Sequence, residues 1–314
     1  MMEDLWLTVN DGCELYVKAW GKELMNRKAV LIISHGMTEH IGRYNHVAAY
    51  FNKQGYIVYG DDHRGHGKTG EKQGQLGYIA DENGFQLMVD DLHFLIGYIK
   101  NEHPGMPVFV LGHSMGSFIA RNYLQLYSDE VNGVVLSGSG YFPEKASKAG
   151  LQIASFQDPK KESTFMNQLV FGDYNNKVVE RFTSFDWLTR DREVVEEYIA
   201  DPFSGYVPTA GFFVDLLTGI LAMQDAEKNI SIRKDLPVLF ISGDADPVGN
   251  YSKGVFQAAE SYLNAGLNNV LVALYPEARH ELHNEINKEE VFNFLNQWLD
   301  KQLLIQRSES FERN

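Results

Sequence analysis

Six short apolar runs constrain this chain more than any other feature. Residues 29–34 (AVLIIS), 56–59 (YIVY), 108–111 (VFVL), 131–136 (VNGVVL), 238–241 (VLFI) and 270–274 (VLVAL) lack strict apolar-polar alternation, which is how strands covered on both faces read. Between them, segments 85–101, 117–127, 254–265 and 289–304 carry apolar residues three or four apart, predicting helices with one buried stripe. Such alternation predicts an α/β fold with a mostly parallel central sheet flanked by helices. Ahead of it, residues 5–9 and 14–20 flank Asn10-Asp11-Gly12, a hairpin signal. The order breaks once. Over 142–234 no buried strand is legible, while Phe212, Phe213, Leu216, Leu217, Ile220 and Leu221 fall at helical spacing. This stretch predicts a helical cap, or lid, inserted over the sheet's carboxyl edge, where open α/β sheets bind ligands. The expected division is a core of 1–141 and 235–314 and a cap of 142–234.

Charge and cysteine usage exclude several partners. With 28 lysines and arginines against 42 aspartates and glutamates, the formal charge of −14 repels phosphate backbones, so no nucleic acid is expected. The one cysteine, Cys13, leaves no internal disulfide framework and no multi-thiolate metal site. Met1-Met2-Glu3-Asp4 carries acids where a signal peptide carries bases, and no apolar run reaches the roughly 18 residues of a spanning helix. These features predict a cytoplasmic protein. An apolar lid is compatible with transient peripheral contact at a membrane surface, although the acidity opposes simple electrostatic adsorption.

The chemistry is carried by Gly112-His113-Ser114-Met115-Gly116, which follows one strand-like run and precedes a helix-like segment. A serine at such a strand-to-helix turn is pushed into the open, with glycines where side chains would collide. Ser114 is therefore the expected nucleophile. It needs a base, and the base needs an acid. Of ten histidines, only His280 and His283 follow the last predicted strand, and His280 is first on that loop. The acid should leave another strand end between them, where Asp244 and Asp246 compete; Asp246 is favoured because it lies further out and can reach across. The oxyanion amides are expected from Met115, at the positive end of its helix, and from Met37 in His35-Gly36-Met37.

With these residues, the chain resembles the α/β-hydrolase superfamily, in the monoacylglycerol lipase and lysophospholipase branch that includes proteins labelled serine aminopeptidase. The resemblance rests on His35-Gly36-Met37-Thr38-Glu39-His40-Ile41-Gly42-Arg43-Tyr44, Asp61-Asp62-His63-Arg64-Gly65-His66-Gly67, residues 112–116 and 243–246, and His280-Glu281-Leu282-His283. It implies the same triad and oxyanion amides. It also implies a lid with an apolar acyl tunnel and a polar recess for glycerol lined by Glu39, Arg43 and His283. An ion pair that merely pins the loop is the alternative for that trio.

Three other patterns fail on spacing. Gly65-His66-Gly67-Lys68-Thr69 lacks the phosphate-loop glycine, which is Asp62 here; the histidines of His280-Glu281-Leu282-His283 are three apart, not four; and Asp244-Ala245-Asp246 runs into Pro247. No cofactor and no metal are expected. The expected reaction is serine-dependent cleavage of a small single-chain lipid ester, monoacylglycerol to fatty acid and glycerol. The alternatives are a lysophospholipase or general carboxylesterase, then a serine aminopeptidase whose acidic lid (Glu193, Glu196, Glu197) receives the substrate amine, then a non-catalytic binding protein of the same fold.

Overall fold

The computed structural model describes residues 2–312. Its eight strands are β1 (Met2–Thr8), β2 (Glu14–Trp20), β3 (Ala29–Ser34), β4 (Tyr56–Asp61), β5 (Val108–His113), β6 (Gly133–Ser137), β7 (Val238–Gly243) and β8 (Val270–Tyr275), in one sheet of order β1-β2-β4-β3-β5-β6-β7-β8. The hairpin forms as the turn residues predict: Gly12 takes φ +87 and donates to the Val9 carbonyl at 2.9 Å. β2 then pairs antiparallel with β4, and every later pairing is parallel.

The helices among the described residues are α1 (Asn45–Lys53), α2 (Gly67–Gln73), α3 (Gly84–Glu102), α4 (Met115–Tyr127), α5 (Glu144–Ser155), α6 (Thr164–Phe171), α7 (Arg192–Ala200), α8 (Ala210–Met223), α9 (Ala226–Asn229), α10 (Lys253–Asn264) and α11 (Lys288–Glu312). They cover both faces of the sheet, which explains the unbroken apolar runs. Val30, Ile32, Val108, Val110 and Phe240 pack with residues of α3, α4 and α10. Their strand neighbours Leu31, Ile33, Phe109, Leu111 and Ile241 pack with Phe51 of α1 and Val291 and Leu295 of α11. Each such side chain contributes about 1.5–3 kcal/mol when fully buried.

Two strand expectations need correction. Residues 270–274 are not buried on both faces: β8 is the sheet's edge, and Leu271 is 45% exposed. β6 begins at Gly133, because Asn132 spends its side-chain oxygen on the Val108 N–H at 2.8 Å instead of continuing the strand.

Five helices, α5 to α9, occupy the chain between β6 and β7. Among them α8 lies over α4, where Asn122 and Gln125 donate side-chain N–H groups to the Gly219 and Ala222 carbonyls at 3.0 and 2.9 Å. Helix α4, which follows Ser114, is thus enclosed, with 11 of its 13 residues buried. β3 lies between β4, which follows it, and β5, which the chain reaches by crossing back from β4, so the strand order reverses at β3 and β5, where open α/β sheets place a crevice at the strands' carboxyl ends. No helix among the described residues is long and apolar enough to cross a membrane.

Candidate active site

Ser114 sits between β5 and α4 at φ 51 and ψ −120, a region an L-residue occupies only when its surroundings force it. The flanking glycines show the forcing. A Cβ on Gly112 would lie 2.6 Å from the Gly116 carbonyl oxygen, and one on Gly116 only 2.0 Å from that of Ser34. Only glycine lets β5, α4 and the end of β3 approach this closely. Ser114 is half-buried on the wall of a cavity of about 640 Å³.

His280, on the loop after β8, lines the same cavity. Its Nδ1 lies 3.0 Å from Oδ2 of Asp246, which is fully buried on the loop after β7. The carboxylate is oriented in turn by the Val248 N–H at 2.8 Å and the Ser242 hydroxyl at 3.4 Å. Asp244 points elsewhere. It is exposed and accepts the Glu277 N–H at 2.7 Å, closing the turn after β8.

The imidazole is boxed in. Gly138 holds φ +59, where a Cβ would fall 2.8 Å from the ring's Cε1. Ring centroids of Trp187 and His113 lie 5.0 and 4.7 Å away. Burial disfavours the imidazolium, but the Asp246 carboxylate and its hydrogen bond outweigh this and hold His280 above the ordinary histidine value. His113, buried without such a partner, is pushed well below it.

Met37 and Met115 both line the cavity. Met115 opens α4, so its N–H is among the donors a helix leaves unpaired at its positive end. The Met37 loop is held from two sides. Glu39 accepts the Gly36 N–H at 2.5 Å, while the Thr38 carbonyl accepts the Gly205 N–H and the Tyr198 hydroxyl, each at 3.0 Å.

The recess implied by resemblance is only partly present. Glu39 reaches the cavity wall; Arg43 and His283 do not. Arg43 is drawn aside by carboxylates, its two terminal nitrogens each 2.8 Å from Glu281 and one also 2.6 Å from Glu39. His283 stacks on Tyr44 at 4.6 Å, and burial lowers it to about 3. No group of three or more His, Cys, Asp or Glu among the described residues is placed to hold a metal. Most of the remaining wall is apolar, with Phe118 of α4 and Met166, Leu217 and Ile220 of α6 and α8, although Asn167, Gln168 and Asn175 also reach it.

Residues 25–287 match the family model described as serine aminopeptidase, S33. The chain belongs to this family. It is similar to the monoacylglycerol lipase of Mycolicibacterium smegmatis, with 30% identity over 92% of this chain and 93% of the relative. Human monoglyceride lipase is 28% identical over 95% and 91% of the two chains. Among solved structures, a thermostable carboxyl esterase from Bacillus coagulans in complex with glycerol superposes with a TM-score of 0.88 at 28% identity, covering 96% of this chain and 99% of that one. The protein is an α/β-hydrolase of the monoglyceride lipase-like kind and a serine ester hydrolase.

Several site residues escaped sequence reading. Thr38 carries a positive φ of 51 with no glycine to announce it. Tyr198 and Gly205 reach Thr38 from about 160 residues away. Trp187 and Leu188 offer their carbonyls to the N–H groups of His280 and Glu281 at 3.4 and 2.7 Å. Aromatic enrichment of the segment hints at a lining, but not at which rings turn inward.

Proposed function

We propose that Ser114, His280 and Asp246 act as a catalytic triad and that the substrate is a monoacylglycerol, cleaved to fatty acid and glycerol. One observation carries this: a mostly apolar cavity is lined by both Ser114 and an imidazole whose Nδ1 is bound to a buried carboxylate. The names of the relatives above support the same substrate.

In this reading Ser114 Oγ attacks the ester carbonyl while His280 Nε2 takes its proton. The Nδ1–H donates to Asp246, which fixes the tautomer and stabilises the imidazolium. The Met37 and Met115 amides face the developing oxyanion. His280 then protonates the leaving glycerol, and water, deprotonated by the same imidazole, releases the fatty acid from Ser114. Residues 142–234 form the cap in this proposal and hold the acyl chain. Its exposed Phe156 and Phe165 (84 and 60%) suit transient contact with a lipid surface.

A peptidase would need a carboxylate free to bind the substrate's amine. Glu193, Glu196 and Glu197 face solvent on α7 and none lines the cavity. The deciding measurement is fatty-acid release from monoacylglycerol against cleavage of amino-acid anilides. Faster release of fatty acid is expected, with loss of both activities in Ser114→Ala. Anilides cleaved faster would overturn the lipid assignment.

A further inference from the structure

Around Glu39 and Glu281, which the proposed function assigns to the leaving group, the cavity has an uneven charge balance. Glu39 and Glu281 both line it, each nearly inaccessible to solvent at 2%. Between them stands one guanidinium, Arg43, whose fork is closed on both oxygens of Glu281 at 2.8 Å and whose shared nitrogen also reaches Glu39 at 2.6 Å. Its flat face lies over the Tyr198 ring at 4.8 Å. Burial and the neighbouring Glu281 charge push the Glu39 carboxyl up, but the donors around it, namely the Gly36 N–H, the Tyr44 hydroxyl and Arg43, all suit an ionised carboxylate. Asn284 donates to Glu281 Oε2 at 2.7 Å.

Two carboxylates therefore face one cation. Nothing nearby restores neutrality: no lysine or arginine lines the cavity among the described residues, and His113 and His283 are kept uncharged by burial. Phosphate recognition needs an arginine or lysine with donors to spare. Here the one arginine spends three of its five N–H donors, and its whole fork, on the two glutamates, and it does not line the cavity. A polyol, by contrast, donates hydroxyl hydrogens to carboxylate oxygens without a charge penalty.

We infer that Glu281 is a specificity-determining residue that closes Arg43 and leaves this part of the cavity negative, so the enzyme accepts esters of uncharged alcohols and rejects those whose alcohol carries a phosphate. The inference rests on the monoacylglycerol reading of the same cavity. It assigns to the second glutamate, not to the arginine, the choice between neutral and phosphorylated single-chain lipids.

A matched pair tests it: a 1-monoacylglycerol and its 3-phosphate with the same acyl chain, compared by kcat/KM. The intact protein should favour the neutral ester by at least about tenfold, as expected for like charges within a few ångströms at intermediate dielectric. Glu281→Gln removes the surplus charge and loosens the fork, so the preference should shrink about tenfold or reverse. Glu281→Asp keeps the charge and should keep the preference. A merely structural role would lower both rates together and leave the ratio unchanged, which would overturn the inference even if the variant were unstable. Equal cleavage of the two esters by the intact protein would overturn it too. Cleavage of neither, with anilides cleaved instead, would sink the monoacylglycerol reading and this inference with it.

Discussion

Asp244 and Asp246 are two residues apart and serve different ends. Asp246, sealed from water, meets His280, whereas Asp244 closes a turn in solvent. Asp246→Asn should lower kcat by about 10³- to 10⁴-fold, because the imidazole loses both its tautomer and its counter-charge. Asp244→Asn should change kcat by less than about threefold, since a surface turn bond contributes on the order of 1 kcal/mol to stability and nothing to the reacting atoms. The pH dependence has a definite sign. His280 must be neutral to accept the serine proton and is held above its ordinary value, so kcat/KM should rise with pH through a midpoint above that of a free histidine. In Asp246→Asn the residual rate should rise at lower pH, because the carboxylate that favoured the charged ring is gone; an upward shift would contradict the pairing. Gly138→Ala should also cut kcat without unfolding the chain, since the added methyl would press on the ring's Cε1.

At the level of elements, the segment between β6 and β7 divides by how it is attached. Residues 187–205 are bound to the loops that carry Thr38 and His280, through Trp187, Leu188, Tyr198 and Gly205. Arg279 reinforces this by donating to the Asp186 and Thr189 carbonyls at 2.6 and 3.0 Å. By contrast, α5 and α6 lie over the cavity, with the partly exposed Ile153 and Leu169 on its wall and Phe165 exposed outside it. Tyr198→Phe removes one hydroxyl that serves both Thr38 oxygens. It should reduce kcat about tenfold while costing about 1 kcal/mol of stability in a denaturant titration. On α5, a Cβ at Gly150 would stand 3.2 Å from Leu217, so Gly150→Val should narrow the cavity and move the acyl-chain optimum toward shorter esters.

The sheet was legible in the sequence because burial on both faces removes alternation, and chain order then placed Ser114, Asp246 and His280 at strand ends. What stayed hidden is long-range. Arg43 meets Glu281 across 238 positions, and nothing local to either motif shows that the fork is already filled. The half-exposed face of β8 was equally invisible, since an edge is defined by the neighbour it lacks.

Across the whole molecule, the formal charge of −14 bears on encounter with substrate. Lipid esters are presented at interfaces, and an acidic protein approaches an anionic interface against its own field. Hydrolysis of monoacylglycerol in vesicles containing anionic lipid should therefore speed up as salt shortens the screening length, while rates on uncharged vesicles stay nearly level. A fall with salt on the anionic vesicles would point to a local basic contact instead.

The enclosure of α4 between the sheet and α8 reaches furthest. In the proposed mechanism an alkoxide forms at the tip of this helix, and a helix gripped along nearly its whole circumference cannot recoil from it, so its leading dipole is aimed before any substrate arrives. The work of orienting that dipole is met once, as the chain folds, and does not recur with each turnover.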